Sequence, residues 1–396
     1  MEYQYVGKHE RPAADDDFAT GPITLTDLEA LVDLPERPRI VALVPAHNES
    51  EGIGSTIQSL LDQERPLDEI VVISDNSVDD TVAIAHKYNV TVLETEGNTH
   101  RKSGALNQGW HEYGADADII VCADGDTQLP PHAVRDWELE FQEDPGLGGS
   151  SSQPVMMGNG FLPRLQRLEF SKSAAMSLNR GWCRVVSGTG CAYRGEALRE
   201  IALLPEQPGP WTYQSVVEDY HLTYQLRRAG WLCNMSPTVW CCTGSMTSIK
   251  ALWHQRIKWE AGTQADLLQF GFNRLNYREW LQRGFLFLSI AFWVIWWALN
   301  GTTAVVDHQF AWGWWWAGIA VLFSVTEGIQ VKNERFHDKW DYLISMSLLQ
   351  MTVYTFLAVA WGTVSWYKVL SARMGDLWAP QYKAEGMTVE KMEIGV

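Results

Sequence analysis

Two carboxylates directly follow a short apolar run near the middle of the chain. Asp124 and Asp126 flank Gly125, after the run 118–123. In an open α/β sheet, ligands bind outside the carboxyl ends of the strands. Carboxylate oxygens suit Mg²⁺ or Mn²⁺ better than zinc, and such a cation usually takes its other ligands from water and substrate phosphates. The spacing therefore favours a metal–diphosphate site, although an ordinary acidic turn before a helix uses the same residues.

The elements that must position these carboxylates form an alternating pattern. Apolar runs predict four strands, over 39–45, 69–73, 90–93 and 118–123. Amphipathic spacing predicts helices between and after them, over 50–63, 79–88, 102–113 and 130–143. Strands that alternate with helices indicate a doubly wound, mostly parallel α/β sheet. Three of these strands are followed by Asn, Asp or Glu, which is typical of a nucleotide pocket at the carboxyl edge of a sheet.

The chain continues with less regular elements. We expect a loop over 205–210 that could close over a ligand. The helix predicted over 159–180 is amphipathic, so it is either a packed helix or a helix on a membrane surface. The remaining predicted elements are strands or extended segments over 148–157, 185–191 and 231–242, and helices over 216–228 and 248–270.

Composition excludes several classes of function. The net charge of −17 and the lack of a basic stripe in the sequence argue against nucleic acid as a partner. The six cysteines have no paired CxxC spacing, which favours reduced structural thiols over disulfides or a zinc site. His47, His221 and His254 have no metal-ligand spacing and are interpreted as structural. The N-terminus is acidic rather than apolar, so we expect no signal peptide.

The C-terminal part is apolar and predicts membrane segments. The runs 284–306, 310–331 and 342–367 each approach or exceed the ~20 residues that span a bilayer. Lys332, Arg335 and Lys339 lie between the second and third runs, which places that link and the N-terminal domain on the cytosolic side. The predicted organisation is an acidic tail (1–37), a cytosolic domain (38–245), amphipathic interface helices (246–282), about three transmembrane helices (283–368) and a C-terminal tail (369–396).

Seven short motifs then occur in an order that resembles a known family. The sequence is similar to the membrane-bound, inverting family 2 glycosyltransferases, which include the cellulose, chitin, hyaluronan and poly-N-acetylglucosamine synthases. Two positions depart from the family pattern: Ser74 replaces an aspartate, and Lys258 replaces the arginine of a Gln-x-x-Arg-Trp motif. The motifs that carry the resemblance are Pro45 to Glu49, Ser74 to Thr81, Lys102 to Asn107, Asp124 to Asp126, Gly188 to Gly190, Glu218–Asp219 and Gln255 to Trp259.

This resemblance implies a GT-A fold and a role for each matched residue. Asp219 would be the general base and Glu218 its neighbour in the catalytic pair, although acids at a helix N-terminus also stabilise the helix dipole. Asp126 and Asp124 would bind Mg²⁺ or Mn²⁺. The acceptor side would comprise Gly188, Thr189, Gly190 and Trp259. The nucleotide-sugar side would comprise Pro45, Ala46, Asn48, Glu49, Asp75, Lys102, Asp124, Gln255 and Lys258.

The resemblance also implies a function. We expect transfer of a sugar, with inversion, from a UDP-sugar to a saccharide or lipid-linked acceptor, by a multi-pass membrane protein in contact with lipids. One alternative is a single transfer to a polyprenyl phosphate or glycolipid. The other is a non-catalytic membrane scaffold that retains a sugar-nucleotide fold.

Overall fold

The computed structural model describes residues 37–306, 308, 315–332 and 335–385. The acidic tail therefore lies outside the described residues, except for Arg37. The described residues from Arg39 onward belong to one compact unit.

A seven-stranded mixed sheet forms the centre of the unit, with the order β3-β2-β1-β4-β6-β5-β7. The first four strands pair in parallel, β6 runs antiparallel to β4 and β5, and β7 is parallel to β5. The mixed α/β fold expected from the alternating pattern is thus confirmed. The strands are β1 Ile40–Ala46, β2 Glu69–Ser74, β3 Thr91–Glu94, β4 Ile119–Ala123, β5 Leu147–Met156, β6 Gly190–Arg194 and β7 Leu232–Thr243.

The apolar runs form strands because helices cover both faces of the sheet. Every residue of β1 is buried. Its even-numbered residues, such as Val44, face one core with Trp137, while Leu43 faces a second core with Tyr193. A strand buried on both faces has a continuous apolar sequence rather than an alternating one.

Helices surround the sheet and continue past it. The chain also forms a helix over Gly195–Ala202 that was not predicted. The strand predicted over 185–191 begins only at Gly190. The helix after β3 ends in a π-helical turn over Trp110–Gly114. The helices are α1 Ile53–Leu61, α2 Thr81–Ala85, α3 Arg101–Gly109, α4 Ala133–Glu143, α5 Phe161–Arg180, α6 Gly195–Ala202, α7 Glu218–Ala229, α8 Ile249–Phe270, α9 Tyr277–Val306, α10 Trp315–Lys332, α11 Lys339–Met346, α12 Leu349–Leu370 and α13 Ala379–Ala384.

The prediction of about three membrane-spanning helices is not confirmed. Among the described residues, only α9 is long and apolar enough by itself to cross a membrane. The third predicted run is broken into α11 and α12, which meet at an angle of 63° and could together form one further crossing. The second run corresponds to α10, which does not meet the same criterion, and residues 310–314 lie outside the described part. The break after α11 contains Leu348, whose φ of 58° ends regular helix geometry.

The first half of helix α5 is packed against the C-terminal helices, whereas most of its second half is half-buried or exposed. Two of its arginines are buried and form ion pairs with acids at the start of α11. Arg164 lies 2.6 Å from Asp338, and Arg167 lies 2.9 Å from Asp341, which is completely buried. The polar side chains of α5 therefore attach the C-terminal helices to the sheet domain.

Candidate active site

One cavity of about 450 Å³ opens at the carboxyl ends of β1, β2 and β4. Residues from widely separated parts of the chain meet there, as parallel strands require at a common sheet edge. Thirteen of the predicted site residues line this cavity: Pro45, Ala46, Glu49, Asp75, Lys102, Asp124, Asp126, Thr189, Glu218, Asp219, Gln255, Lys258 and Trp259.

The loops after β1 and β2 form the end of the cavity that contains Asp75. This carboxylate is buried and accepts hydrogen bonds from Asn98 Nδ2 at 2.7 Å and Thr95 Oγ1 at 3.0 Å. Asn48, predicted to bind the nucleotide, does not line the cavity. It adopts a φ of 58°, and its Oδ1 accepts a hydrogen bond from the Val78 amide at 2.9 Å. Asn48 thus joins the two loops to each other.

Three carboxylates cluster beside β4. The Gly244 amide donates to Asp126 Oδ2 at 3.1 Å, and Thr243 Oγ1 donates to Asp126 Oδ1 at 3.2 Å. Glu49 lies so close that a Cβ on Gly125 would come within 2.8 Å of its Cγ, which explains the glycine between the two aspartates. Without a side chain at Gly125, the loops after β1 and β4 approach closely enough to bring the carboxylates of Glu49, Asp124 and Asp126 together.

The electrostatics of this cluster suit a divalent cation. Burial, with the charges of Asp126 and Asp124, raises the pKa of Glu49 to about 8. Burial and the charge of Asp124 also raise the pKa of Asp126. Among the described residues, no group of three or more Asp, Glu, His or Cys side chains is arranged as a complete ligand set. Carboxylates that repel one another, and that leave room for phosphate and water ligands, match the way Mg²⁺ is usually held.

Lys102 connects the metal-side acids to the catalytic pair. Its Nζ donates to Asp124 Oδ1 and lies 3.5 Å from Glu218 Oε1. Burial acts to lower the pKa of Lys102, but the nearby carboxylates outweigh burial and raise this pKa well above its ordinary value. The lysine predicted to contact phosphate is therefore held between two acids, and it remains cationic.

Asp219 lies in the first turn of α7 with its carboxylate on the cavity. The amides of Tyr220 and Gly188 donate to its two oxygens, at 2.7 and 3.4 Å. Burial, with the charge of Glu218, raises the pKa of Asp219 to about 6, against the opposing effect of Lys102. A carboxylate with this pKa is ionised at neutral pH and is still more basic than an ordinary aspartate, as a general base requires.

The Gly-Thr-Gly segment contributes mainly through its backbone. A Cβ on Gly188 would lie 2.9 Å from Lys102 Nζ, so a side chain there would displace the end of Lys102. Gly190 is buried in β6, where Ser152 Oγ donates to its carbonyl oxygen at 2.6 Å. Neither glycine lines the cavity, whereas Thr189 does. Both glycines are thus buried behind the cavity wall, where the Gly188 amide donates to Asp219, and their predicted acceptor-side role stays a prediction.

Helix α8 presents one face to the cavity. Gln255, Lys258 and Trp259 line it, while Arg256 points away and pairs with Glu169 at 2.6 Å. Lys258 is buried, and burial lowers its pKa to about 8. The predicted place of Lys258 on the nucleotide-sugar side is consistent with this position.

Sequence reasoning missed the contribution of the C-terminal segment. Four residues that were assigned to a tail line the cavity: Trp378, Gln381, Tyr382 and Glu385. The Trp378 ring lies 3.3 Å from Lys258 Nζ, and the Tyr382 ring stacks on His47 with centroids 5.4 Å apart. The sequence signal for this contribution was the presence of aromatic residues, Trp378 and Tyr382, after the last apolar run. The loop 205–210 does not line the cavity.

Comparison with known proteins agrees with this arrangement. The family model described as "Glycosyl transferase family 2" matches residues 41–202. Residues 41–202 are thus similar to a family 2 glycosyl transferase domain. The matched region contains the loops around Asp75, the Asp124–Asp126 pair and the Gly188–Gly190 segment, while Asp219 and α8 follow it.

Curated relatives are about a quarter identical to this chain over the aligned residues. The poly-beta-1,6-N-acetyl-D-glucosamine synthase of Staphylococcus epidermidis is 26% identical over 241 residues, which are 57% of this chain and 55% of that protein. The enzyme of the same name from Staphylococcus aureus (strain COL) is 26% identical over 258 residues, with shares of 62% and 59%. The chain thus spans somewhat more than half the length of the curated relatives it matches.

A solved structure shares the fold over most of this chain. The Pyrobaculum calidifontis mannosyltransferase, determined in complex with GDP-Man and Mn²⁺, superposes with a TM-score of 0.56 at 19% identity. The similarity covers 85% of this chain and 88% of that one. This likeness establishes a GT-A type fold.

Proposed function

We propose that this protein is a metal-dependent, inverting glycosyltransferase that moves a sugar from a UDP-sugar to a saccharide or lipid-linked acceptor at a membrane. The observation that carries the proposal is the single cavity shared by Asp75, Asp124, Asp126 and Asp219. These residues follow the ends of two strands, β2 and β4, and lie at the start of one helix, α7, and they are separated by up to 144 positions in the sequence.

The donor would bind along the sheet edge. Asp75 and the loop from Pro45 to Glu49 are suited to hold the base and ribose through hydrogen bonds. Lys258 is a buried cation on the same cavity, and a cation there would attract the diphosphate. The names of the curated relatives support N-acetylglucosamine as the first sugar to try, and the GDP-Man of the mannosyltransferase makes guanosine donors the natural comparison.

Asp124 and Asp126 would hold the cation, for which the Mn²⁺ of the mannosyltransferase provides support. When bound, a divalent ion of this kind acts as a Lewis acid that offsets charge on the departing diphosphate. Thr243 and the Gly244 amide fix the orientation of Asp126 through their hydrogen bonds. Mg²⁺ and Mn²⁺ both suit oxygen ligands, so both belong in the assay.

The transfer itself would be one displacement. The Asp219 carboxylate takes the proton of the acceptor hydroxyl, and the acceptor oxygen bonds to the anomeric carbon. The bond from that carbon to the phosphate oxygen breaks, and the nucleoside diphosphate leaves with the electron pair. A single displacement inverts the anomeric configuration, as in inverting hydrolases, where water takes the place of the acceptor. Lys102 offsets part of the negative charge of Glu218 and Asp124. Trp259 offers a flat apolar face for an acceptor ring.

The membrane location rests on α9, the described helix whose length and composition suit a crossing. We keep the catalytic domain on the cytosolic side, because Lys332 ends α10 and Arg335 and Lys339 follow it. The ion pair between Arg164 and Asp338 holds this link against the domain. In this arrangement α8 and α12, which pack against each other, would lie between the membrane and the cavity.

A donor panel tests the proposal. Purified full chain in detergent is given UDP-N-acetylglucosamine, other UDP-sugars and GDP-mannose, each with Mn²⁺, Mg²⁺ or EDTA, and nucleotide release is measured. We expect release from one UDP-sugar only, dependent on the metal, with product of inverted anomeric configuration by NMR. Product size then separates a single transfer from a polymer. Equal nucleotide release in EDTA and in metal, or no release with any donor, would contradict the proposed activity.

A further inference from the structure

Six arginines form a basic surface on a chain whose net charge is −17. They come from three separate segments: the end of α5 and the turn after it, the end of α7, and the turn into α9. The residues of this surface, called the basic face below, are Arg180, Arg184, Arg227, Arg228, Arg274 and Arg278.

Direct contacts show that the three segments adjoin one another. The Arg227 guanidinium lies 4.5 Å from the centre of the Trp182 ring, and Arg180 lies 6.0 Å from the same ring. Arg227 also donates to the Leu275 carbonyl oxygen at 3.3 Å, in the turn that precedes α9. The basic face is therefore continuous from the end of α5 to the start of α9, and no single stretch of sequence reveals it.

These arginines are not neutralised by the protein. All are exposed except Arg227, which is partly buried. Within the described part of the chain, none of the six forms an ion pair with a carboxylate. The segments 170–187, 220–235 and 267–286 contain one acid, Glu279, which is buried and accepts a hydrogen bond from Tyr220 at 2.9 Å. The basic face thus offers free positive charge to a partner.

The position of the basic face indicates which partner. Arg274 and Arg278 flank the beginning of α9, the helix suited to cross a membrane. Aromatic side chains accompany them, since Phe272 is 71% exposed and Tyr277 is 37% exposed. Arginine with exposed aromatic residues next to the end of a transmembrane helix is the composition found at the membrane–water interface. The bond between Tyr220 and Glu279 fixes α7 to the first turn of α9, so the basic face and the helix would meet the membrane together.

We propose that the basic face is a docking surface for the headgroups of anionic phospholipids, which orients the transferase domain on the membrane. This inference rests on the membrane location in the proposed function. Arginines near an anionic surface each contribute about 1 kcal/mol of attraction, a factor of about five in affinity. Six such residues, gathered where the ends of α5 and α7 meet the start of α9, would hold this part of the domain towards the lipid.

The test compares two double variants of the full chain in detergent. The first, Arg228→Gln with Arg274→Gln, removes two exposed charges from the basic face. The control, Lys87→Gln with Arg135→Gln, removes two exposed charges elsewhere. Native mass spectrometry measures binding of phosphatidylglycerol and of phosphatidylcholine with matched acyl chains, at low and high salt.

We expect the unmodified chain and the control to prefer phosphatidylglycerol, and the preference to weaken in high salt. The first double variant should bind phosphatidylglycerol about 25-fold more weakly, at about fivefold per arginine, with phosphatidylcholine unaffected. Equal binding of the two lipids by the unmodified chain, or an equal loss in the control, would overturn the proposal. So would displacement of phosphatidylglycerol by glycerol phosphate or by a single-stranded oligonucleotide at comparable concentration, since either would identify a different partner.

Activity distinguishes this proposal from the proposed function. Arg228 and Arg274 do not line the cavity, so donor turnover in lipid-free detergent should be unchanged in the first double variant. Absence of turnover with intact lipid preference would count against the transferase activity alone. Normal turnover without lipid preference would count against the docking surface alone.

Discussion

The charge of Lys258 should set the alkaline limit of activity. Lys258 lies where the resembling family has an arginine, and it is 5% exposed, with its Nζ 3.3 Å from the Trp378 ring. Burial is the largest influence on this lysine and lowers its pKa to about 8. The protonated form is the one that attracts a diphosphate, so activity should be lost as pH rises through that value.

The expected size of the effect follows from titration. With a pKa of about 8, roughly nine-tenths of Lys258 is charged at pH 7 and roughly one-tenth at pH 9. On the acid side Asp219, with a pKa of about 6, must be ionised to act as the base. The profile of kcat/KM against pH should therefore be a bell with limits near 6 and 8, because this parameter reports the free enzyme. From pH 7 to pH 9 kcat/KM should fall about ninefold. The limit in kcat should lie higher, since bound diphosphate stabilises the charged lysine.

Lys258→Arg tests the assignment, because an arginine remains charged throughout this range. The variant should lose the alkaline limit and retain the acid one. The matched control is Lys250→Arg, which changes an exposed lysine at the start of the same helix. UDP release from the active donor, measured from pH 5 to 9.5 with Mg²⁺, provides both parameters. If Lys258→Arg keeps the alkaline limit of the unmodified chain, another group is responsible and the reasoning about Lys258 is wrong.

Three further substitutions have defined outcomes. Asp219→Asn should retain UDP binding and lose about 10²–10⁴-fold in kcat, the usual contribution of a general base; near-normal kcat would exclude Asp219 from that role. Trp259→Ala should raise the acceptor KM about two- to tenfold, as lost aromatic contact predicts, and leave UDP affinity nearly unchanged; the opposite order would place Trp259 on the donor side. Asp341→Asn should destabilise the protein by about 3–5 kcal/mol in thermal unfolding, because Arg167 and Arg164 would be left without their fully buried partner. Asp338→Asn, at a more exposed partner of Arg164, is the control and should destabilise the protein far less, because asparagine is an equally good N-cap for α11.

The sheet and the catalytic centre were predictable because both depend on strong local signals. A strand buried on two faces requires a continuous apolar run, and β1, β2 and β4 each have one. The end of each such strand then predicts which polar residues meet at the sheet edge. Asp75 and the Asp124–Asp126 pair were located in this way, before any contact was known.

The C-terminal half was harder to predict because apolar composition does not distinguish a membrane helix from a packed one. The run that forms α11 and α12 is interrupted at Leu348 by a backbone angle that the sequence does not signal. Likewise, Trp378 and Tyr382 reach the cavity because the chain after α12 turns back towards α8 and the loop after β1. Tyr382 stacks there on His47, and Trp378 covers Lys258. A segment that folds back onto a distant part of the chain leaves no periodic pattern in the sequence, so these residues were assigned to a tail.

The carboxylate cluster of Glu49, Asp124 and Asp126 is proposed to hold the cation that binds the diphosphate. Isothermal titration of the purified chain with UDP, in Mn²⁺ and in EDTA, measures this directly, with Asp126→Ala as the matched variant. We predict that UDP binds the unmodified chain only in Mn²⁺, and that Asp126→Ala abolishes the metal-dependent part. UDP binding of equal affinity in EDTA, or unchanged binding to Asp126→Ala in Mn²⁺, would contradict the central claim.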